Sequence, residues 1–139
     1  MPATTTAPAQ VAPVRSPWLT VLIAWLLPGA GHFFLGRRIR AALVFATVII
    51  AFLVGVGMQG PFFETSGAAD VLSRLIQWGG FIGDLACGLL YFIAVWAGYA
   101  PPDRAGHTAD YGAKFIVAAG LLNILAMVDA YEIATHVKE

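Results

Sequence analysis

The sequence predicts an all-α polytopic membrane protein with four transmembrane helices, the first short and kinked at Pro28, and three observations point there. Apolar residues make up 59% of the chain, mean hydropathy is +0.77, and charged residues reach only 12%, against about a quarter in an ordinary soluble domain. The apolar residues gather into stretches close to the length a bilayer requires. Glycine and proline clusters separate those stretches.

The same composition excludes several classes. A water-soluble fold of this size would have too few polar residues to cover its surface, and a disordered chain would carry more charge. Eight Lys+Arg balance eight Asp+Glu, so there is no basic surplus for a nucleic acid and no long-range field to steer a charged partner. The lone Cys87 can form no intrachain disulfide and completes no metal motif.

Residues 1–16, MPATTTAPAQVAPVRS, hold three prolines and no periodic run of large apolar side chains, and are expected to form a flexible tail. A transmembrane domain over 17–136 follows. Pro17 suits the first turn of a helix and Ser16 can cap it. The first segment, Trp18 to Leu27, meets Pro28-Gly29-Ala30-Gly31 after ten residues, about 15 Å of helix against a hydrocarbon core of about 30 Å. Two solutions exist: a helix kinked at Pro28 that continues to Leu35, or a re-entrant turn. The kinked span is favoured. A signal peptide ranks lower, because Phe33, Phe34 and Leu35 follow the small residues and the basic cluster comes after the apolar stretch.

The second segment, Ala41 to Met58, is eighteen residues without a charge, long enough to cross. The following QGPFFETSGAAD reads as an interhelical loop with Phe62 and Phe63 in an interfacial aromatic belt. A third segment, about Leu75 to Tyr99, carries Asp84 near its middle. Its strongly apolar residues contribute about −3 to −6 kcal/mol in all, against about +3 for a central Asp, so insertion wins narrowly. Pro101-Pro102 ends it, and a fourth segment spans about Ala113 to Ala134 with Asn123 inside. Under alternation, Arg37, Arg38, Arg40, Arg104 and Lys114 share one side and Arg15, Arg74 and Lys138 the other. That places both termini outward from a bacterial-type cytoplasmic membrane.

The most distinctive string runs from Pro28 through Gly29, Gly31, His32, Phe33 and Gly36 to Arg38. Proline removes a backbone donor and glycine permits close approach, so the freed carbonyls need a neighbouring helix, water or His32. The string PGAGHFFLGRR resembles the Pro-Gly-x-Gly-x-Phe-Tyr-x-Gly signature that joins the first two helices in the two-transmembrane domain family and in related uncharacterised bacterial membrane proteins. It falls on Pro28, Gly29, Gly31, Phe33 and Gly36, with Phe34 where a Tyr is usual. Similar DYGAKF and NILAMVDAY strings mark the last helix of the bacterial relatives. The Asp-Arg-Phe loop of the eukaryotic branch is absent, and with it the basis for a signalling role. The resemblance implies an integral membrane protein without an established activity.

Arg37, Arg38 and Arg40 are topology determinants and candidate contacts for lipid headgroups, although three fall short of the four to eight of a dedicated lipid patch. Gly79, Gly83 and Cys87 recur every fourth residue, and Ala119, Asn123, Ala126, Ala130 and Ala134 recur at steps of three or four. Such small-residue stripes let helices approach in lipid, so the third and fourth segments are expected to meet there, within one chain or across a dimer. Asp84 is a candidate for a proton or ion pathway, with a bond to Asn123 or a backbone carbonyl as its structural alternative. Asp129, Glu132 and His136 share a helical face near the outer surface and are expected to be solvated, as are Asp103, His107 and Asp110.

No phosphate-cradling glycine loop, nucleophile elbow, paired-cysteine motif or zinc-protease helix occurs. No enzyme activity, cofactor or metal ligand is expected. The partners implied are the lipid bilayer and either a second copy or other membrane subunits. The leading expectation is a structural or accessory subunit that assembles through its small-residue seams; the alternative is an oligomeric transporter or channel component with a polar path at Asp84 and Asn123.

Overall fold

The computed structural model describes residues 16–67, 69–102 and 106–135. Apart from Ser16, the expected tail lies outside the described residues, as do Arg15, Asp103, Arg104, His136 and Lys138. Six helices are described: α1 (Pro17–Leu26), α2 (Ala30–Phe34), α3 (Arg38–Gly57), α4 (Val71–Ala86), α5 (Leu89–Trp96) and α6 (His107–Ala134).

The frame is the antiparallel pair α3 and α6. Both are long and apolar enough to cross a membrane. At one end Arg40 reaches Asp129; at the other, Gly55 and Gly60 lie against Ile116 and Gly112, where a Cβ on either glycine would strike the α6 backbone. Each missing side chain therefore brings two backbones together.

α1 does not continue through Pro28. Its last bond runs from the Leu27 N–H to the Ile23 carbonyl, Gly29 takes the left-handed φ of 79°, and α2 returns alongside α1. A Cβ on Gly31 would lie 2.6 Å from the Ala24 Cβ and 3.3 Å from that of Ala130. The Trp18 ring lies tilted against Tyr131 with centroids 5.7 Å apart while Trp25 sits beside Asn123, so α1 enters from the C-terminal end of α6 and stops partway along it. His32, on the returning α2, is level with Asp129. The chain thus reverses at Pro28-Gly29 instead of continuing as the favoured kinked helix, as the turn alternative expected. Ten residues cannot cross, and proline followed by glycine makes reversal cheap. Gly36, with φ 83°, then turns the chain into α3 as the Arg37 N–H bonds back to the His32 carbonyl.

The third segment is not one straight helix either. α4 and α5 meet at an angle of 97°, at Cys87 and at Gly88 with φ 62°. Gly80 and Asp84 of α4 lie against Phe63. Tyr99, just past α5, donates to the carbonyls of Val56 and Gly60 at 3.2 and 3.1 Å. Both arms therefore open at the end where α6 begins. The described helices offer two spans, or three if the bent pair is one; four separate spans are not confirmed. Lys114, on the second turn of α6, lies at the opposite end of the α3–α6 pair from Arg38 and Arg40, and Asp129 lies beside Arg40, an arrangement that differs from the expected alternation.

Among the described residues, eight of the twelve buried apolar side chains are alanine, so the interior is built from close backbones rather than bulk. Its one cluster of larger side chains, Val48, Phe52 and Ile116 with Cys87 and Ala119, is covered by Leu90 and Tyr91 of α5. Phe62 and Phe63 do not form an exposed belt. Phe62 lies edge-on to Tyr91 and Tyr99 at 5.0 and 5.4 Å, and the Phe63 ring covers Gly80.

Candidate functional site

Two polar centres stand out against this apolar frame. The first lies where the tips of the α1–α2 and α4–α5 reversals meet. Ending α1 at a proline and α4 at a glycine leaves carbonyls without helical partners, and these must be satisfied inside the bundle. Asn123, fully buried on α6, does so: its Nδ2 donates to the Ala86 carbonyl at 2.9 Å and to the Trp25 carbonyl at 3.3 Å. The Trp25 indole N–H donates to the Leu85 carbonyl at 3.1 Å. Gly88 is pressed so close to the Trp25 carbonyl that no Cβ would fit. Asn123 and Trp25 thus tie both tips to each other and to α6.

Asp84, also fully buried, does not reach Asn123 and meets no carbonyl. Its Oδ2 accepts the Phe63 N–H at 2.6 Å, correcting the expected pairing. The loop after α3 dips inward and supplies a donor instead. The Oδ1 atoms of Asp84 and Asn123 are buried without a hydrogen-bond partner among the described residues. Cys87 directs its Sγ at the carbonyls of Gly83 and Ile116, at 3.7 and 3.4 Å, and so behaves as a small core residue.

The second centre closes the end where α3 starts. His32, 1% exposed, contacts Asp129 with Nε2 to Oδ2 at 2.8 Å, and Arg40 Nη1 approaches the same oxygen at 3.4 Å. The lone histidine of the sequence motif therefore has a fixed carboxylate partner, and Asp129 is not merely solvated. Among the described residues no three His, Cys, Asp or Glu side chains group as metal ligands do.

The remaining motif residues divide by role. Pro28, Gly29 and Gly31 are buried in the turn, whereas Phe33 is 64% exposed. Gly36 meets nothing a Cβ would touch and serves only its backbone conformation. Arg38 is exposed and Arg37 half-buried. In α4 the buried stripe is Gly80, Gly83 and Cys87; Gly79 faces outward with nothing within 4 Å of its Cβ position. Gly83 lies on Val117 and on Gly120, where a Cβ would strike the Gly83 carbonyl. Ala119, Ala126 and Ala130 are all buried on α6, but they serve several neighbours: Ala119 joins the cluster with Val48 and Phe52 of α3, and Ala130 meets Gly31 of α2.

Sequence reasoning missed Trp25 and Tyr99, and it gave Phe63 a place in an interfacial belt instead of its main-chain bond to Asp84. Only Trp25 left a signal, since an indole N–H placed in an apolar segment needs an acceptor. No curated protein and no solved structure matches the chain. A family model covers residues 19–139, nearly all of the described structure, and its description carries nothing of the two-transmembrane signature. The chain belongs to that family, the family of unknown function DUF6677.

Proposed function

We propose that this protein is a multi-pass component of a bacterial-type cytoplasmic membrane, a structural or accessory subunit rather than an enzyme. The observation that carries this reading is its inverted distribution of side-chain size. Alanine dominates the interior while Trp96, Val71 and Ile39 are 90%, 84% and 79% exposed, a surface that water would not tolerate and lipid would. In that setting α3 and α6 cross, and the two reversals dip to mid-depth from opposite faces. Non-helical backbone is tolerated there only under protein cover; Pro28, Gly29, Cys87 and Gly88 are all buried. The arginines at the start of α3 mark the cytoplasmic face, which brings Ser16 and Thr135 to that side. The small-residue seams are occupied within the chain, so further subunits would meet Gly79 and the large apolar side chains around it.

Alkaline carbonate washing of membranes from expressing cells tests the reading. The chain should stay in the pellet and leave it only with detergent. Recovery as a compact monodisperse species in a detergent-free high-speed supernatant would overturn it.

A second reading, an oligomeric transport component with a path past Asp84 and Asn123, draws on the unpartnered Oδ1 atoms of those two buried side chains. Asp84→Asn separates the two. An accessory protein keeps its insertion and the permeability of its proteoliposomes, whereas a path loses its ion or proton flux.

A further inference from the structure

The turn that reverses the first hairpin leaves an apolar groove against α3. Leu27, Pro28 and Phe33 form one wall, Ala42 and Phe45 the other, and Arg38 stands at the mouth of a space of about 330 Å³. From Arg38 to Phe45 it follows two turns of α3, about 10 Å along the axis from the arginine end. At the tip of the reversal Gly29 touches the Ala41 carbonyl so closely that a Cβ would not fit. A second hollow, lined by Gly36, Arg37, Arg38, Ile39 and Arg40, shares Arg38 with it. Arg40 is engaged with Asp129, while Arg37 and Arg38 form no ion pair among the described residues.

We propose that this groove holds one acyl chain of an anionic phospholipid whose phosphate sits between Arg37 and Arg38. The proposal rests on the membrane reading above. An apolar slot lined by Arg38, beside a hollow lined by Arg37 and Arg38, two arginines without an ion pair among the described residues, matches a ligand with an apolar chain and a negative head.

The test uses the full chain in mild detergent, offered equal amounts of phosphatidylglycerol and phosphatidylcholine, with retained lipid counted by native mass spectrometry. The wild type should keep one phosphatidylglycerol in preference to phosphatidylcholine. Arg38→Gln should weaken that preference about fivefold, since a basic residue near a headgroup contributes about 1 kcal/mol. Ala42→Trp, which fills the slot from an exposed position, should abolish retention of either lipid, and Arg74→Gln at the far end should change nothing. Equal retention of both lipids, a preference that survives both groove variants, or a dimer that Ala42→Trp dissociates without altering lipid retention would overturn the proposal. If these fail while the chain remains in carbonate-washed membranes, the groove is refuted and the membrane reading stands; release by carbonate refutes both.

Discussion

The indole nitrogen of Trp25 donates to the carbonyl of Leu85 at 3.1 Å, joining the tips of two chain reversals that enter the bundle from opposite ends. Sixty positions separate the residues, and α6 holds both tips through Asn123. Burial of a broken helix is possible only when its freed carbonyls find donors, and here one tryptophan and one asparagine provide them.

Asn123→Leu therefore removes both amide bonds and leaves the carbonyls of Ala86 and Trp25 without that donor. At about 0.6 to 2 kcal/mol for each polar contact between helices in lipid, the loss should be about 1 to 4 kcal/mol. Thermal unfolding in detergent reads it, and an unchanged midpoint would show that Asn123 does not tie the tips.

Gly79 of the expected stripe and Gly120, which faces Gly83, separate cleanly under substitution. Gly120→Ala would drive a methyl group into the Gly83 carbonyl and should cost about 1 to 3 kcal/mol through the backbone shift it forces. Gly79→Ala meets nothing and should stabilise α4 by about 0.5 to 1 kcal/mol through helix propensity. The same unfolding measurement compares them; equal effects would mean that Gly79 is also in contact.

At the arginine end, Asp129→Ala strands the buried His32, whereas Arg40→Ala removes only an exposed partner. The first should cost about 1 to 3 kcal/mol and the second less than about 1. A double-mutant cycle with His32→Ala should show coupling to Asp129 well above that between Arg40 and Asp129.

Asp70 caps α4 from outside the apolar stretch, accepting the Ser73 N–H at 2.9 Å, and that bond holds its carboxyl below the ordinary 3.8. The cap's contribution is complete above pH 3.8 and fades as the pH falls through the lowered folded value. Hydrogen exchange at the Ser73 amide, corrected for its intrinsic rate, should lose protection below that point in the wild type; in Asp70→Asn it should not follow the same titration.

The straight elements were plain in the sequence, and the bent ones were not, for physical reasons. Ala41 to Met58 carries no charge and, Thr47 apart, no polar side chain, and α3 covers it apart from its last residue. The choice at Pro28 was visible as a length problem: ten residues are too short to cross, and the left-handed Gly29 resolves it by reversal. At Cys87-Gly88 no proline signals the break, and an insertion energy summed over residues is the same for a straight helix as for a bent one. Asp84 is paired with a main-chain N–H from Phe63, which no side-chain pattern encodes. His32 and Asp129 were each singled out, but strict alternation placed them on opposite sides, so their contact across 97 positions emerged only once the first hairpin was seen to turn back.

Single-cysteine labelling in intact cells, on a Cys87→Ser background, tests the paired reversals most directly. Cysteines replace Ser16, Ser66, Ala100 and Thr135, all in described segments and, Thr135 apart, exposed, and a membrane-impermeant maleimide reports which side each occupies. The paired reversals predict that positions 66 and 100 label from outside while 16 and 135 label only after permeabilisation. Labelling of 16, 66 and 135 together, with 100 protected, would restore four alternating spans and contradict the account.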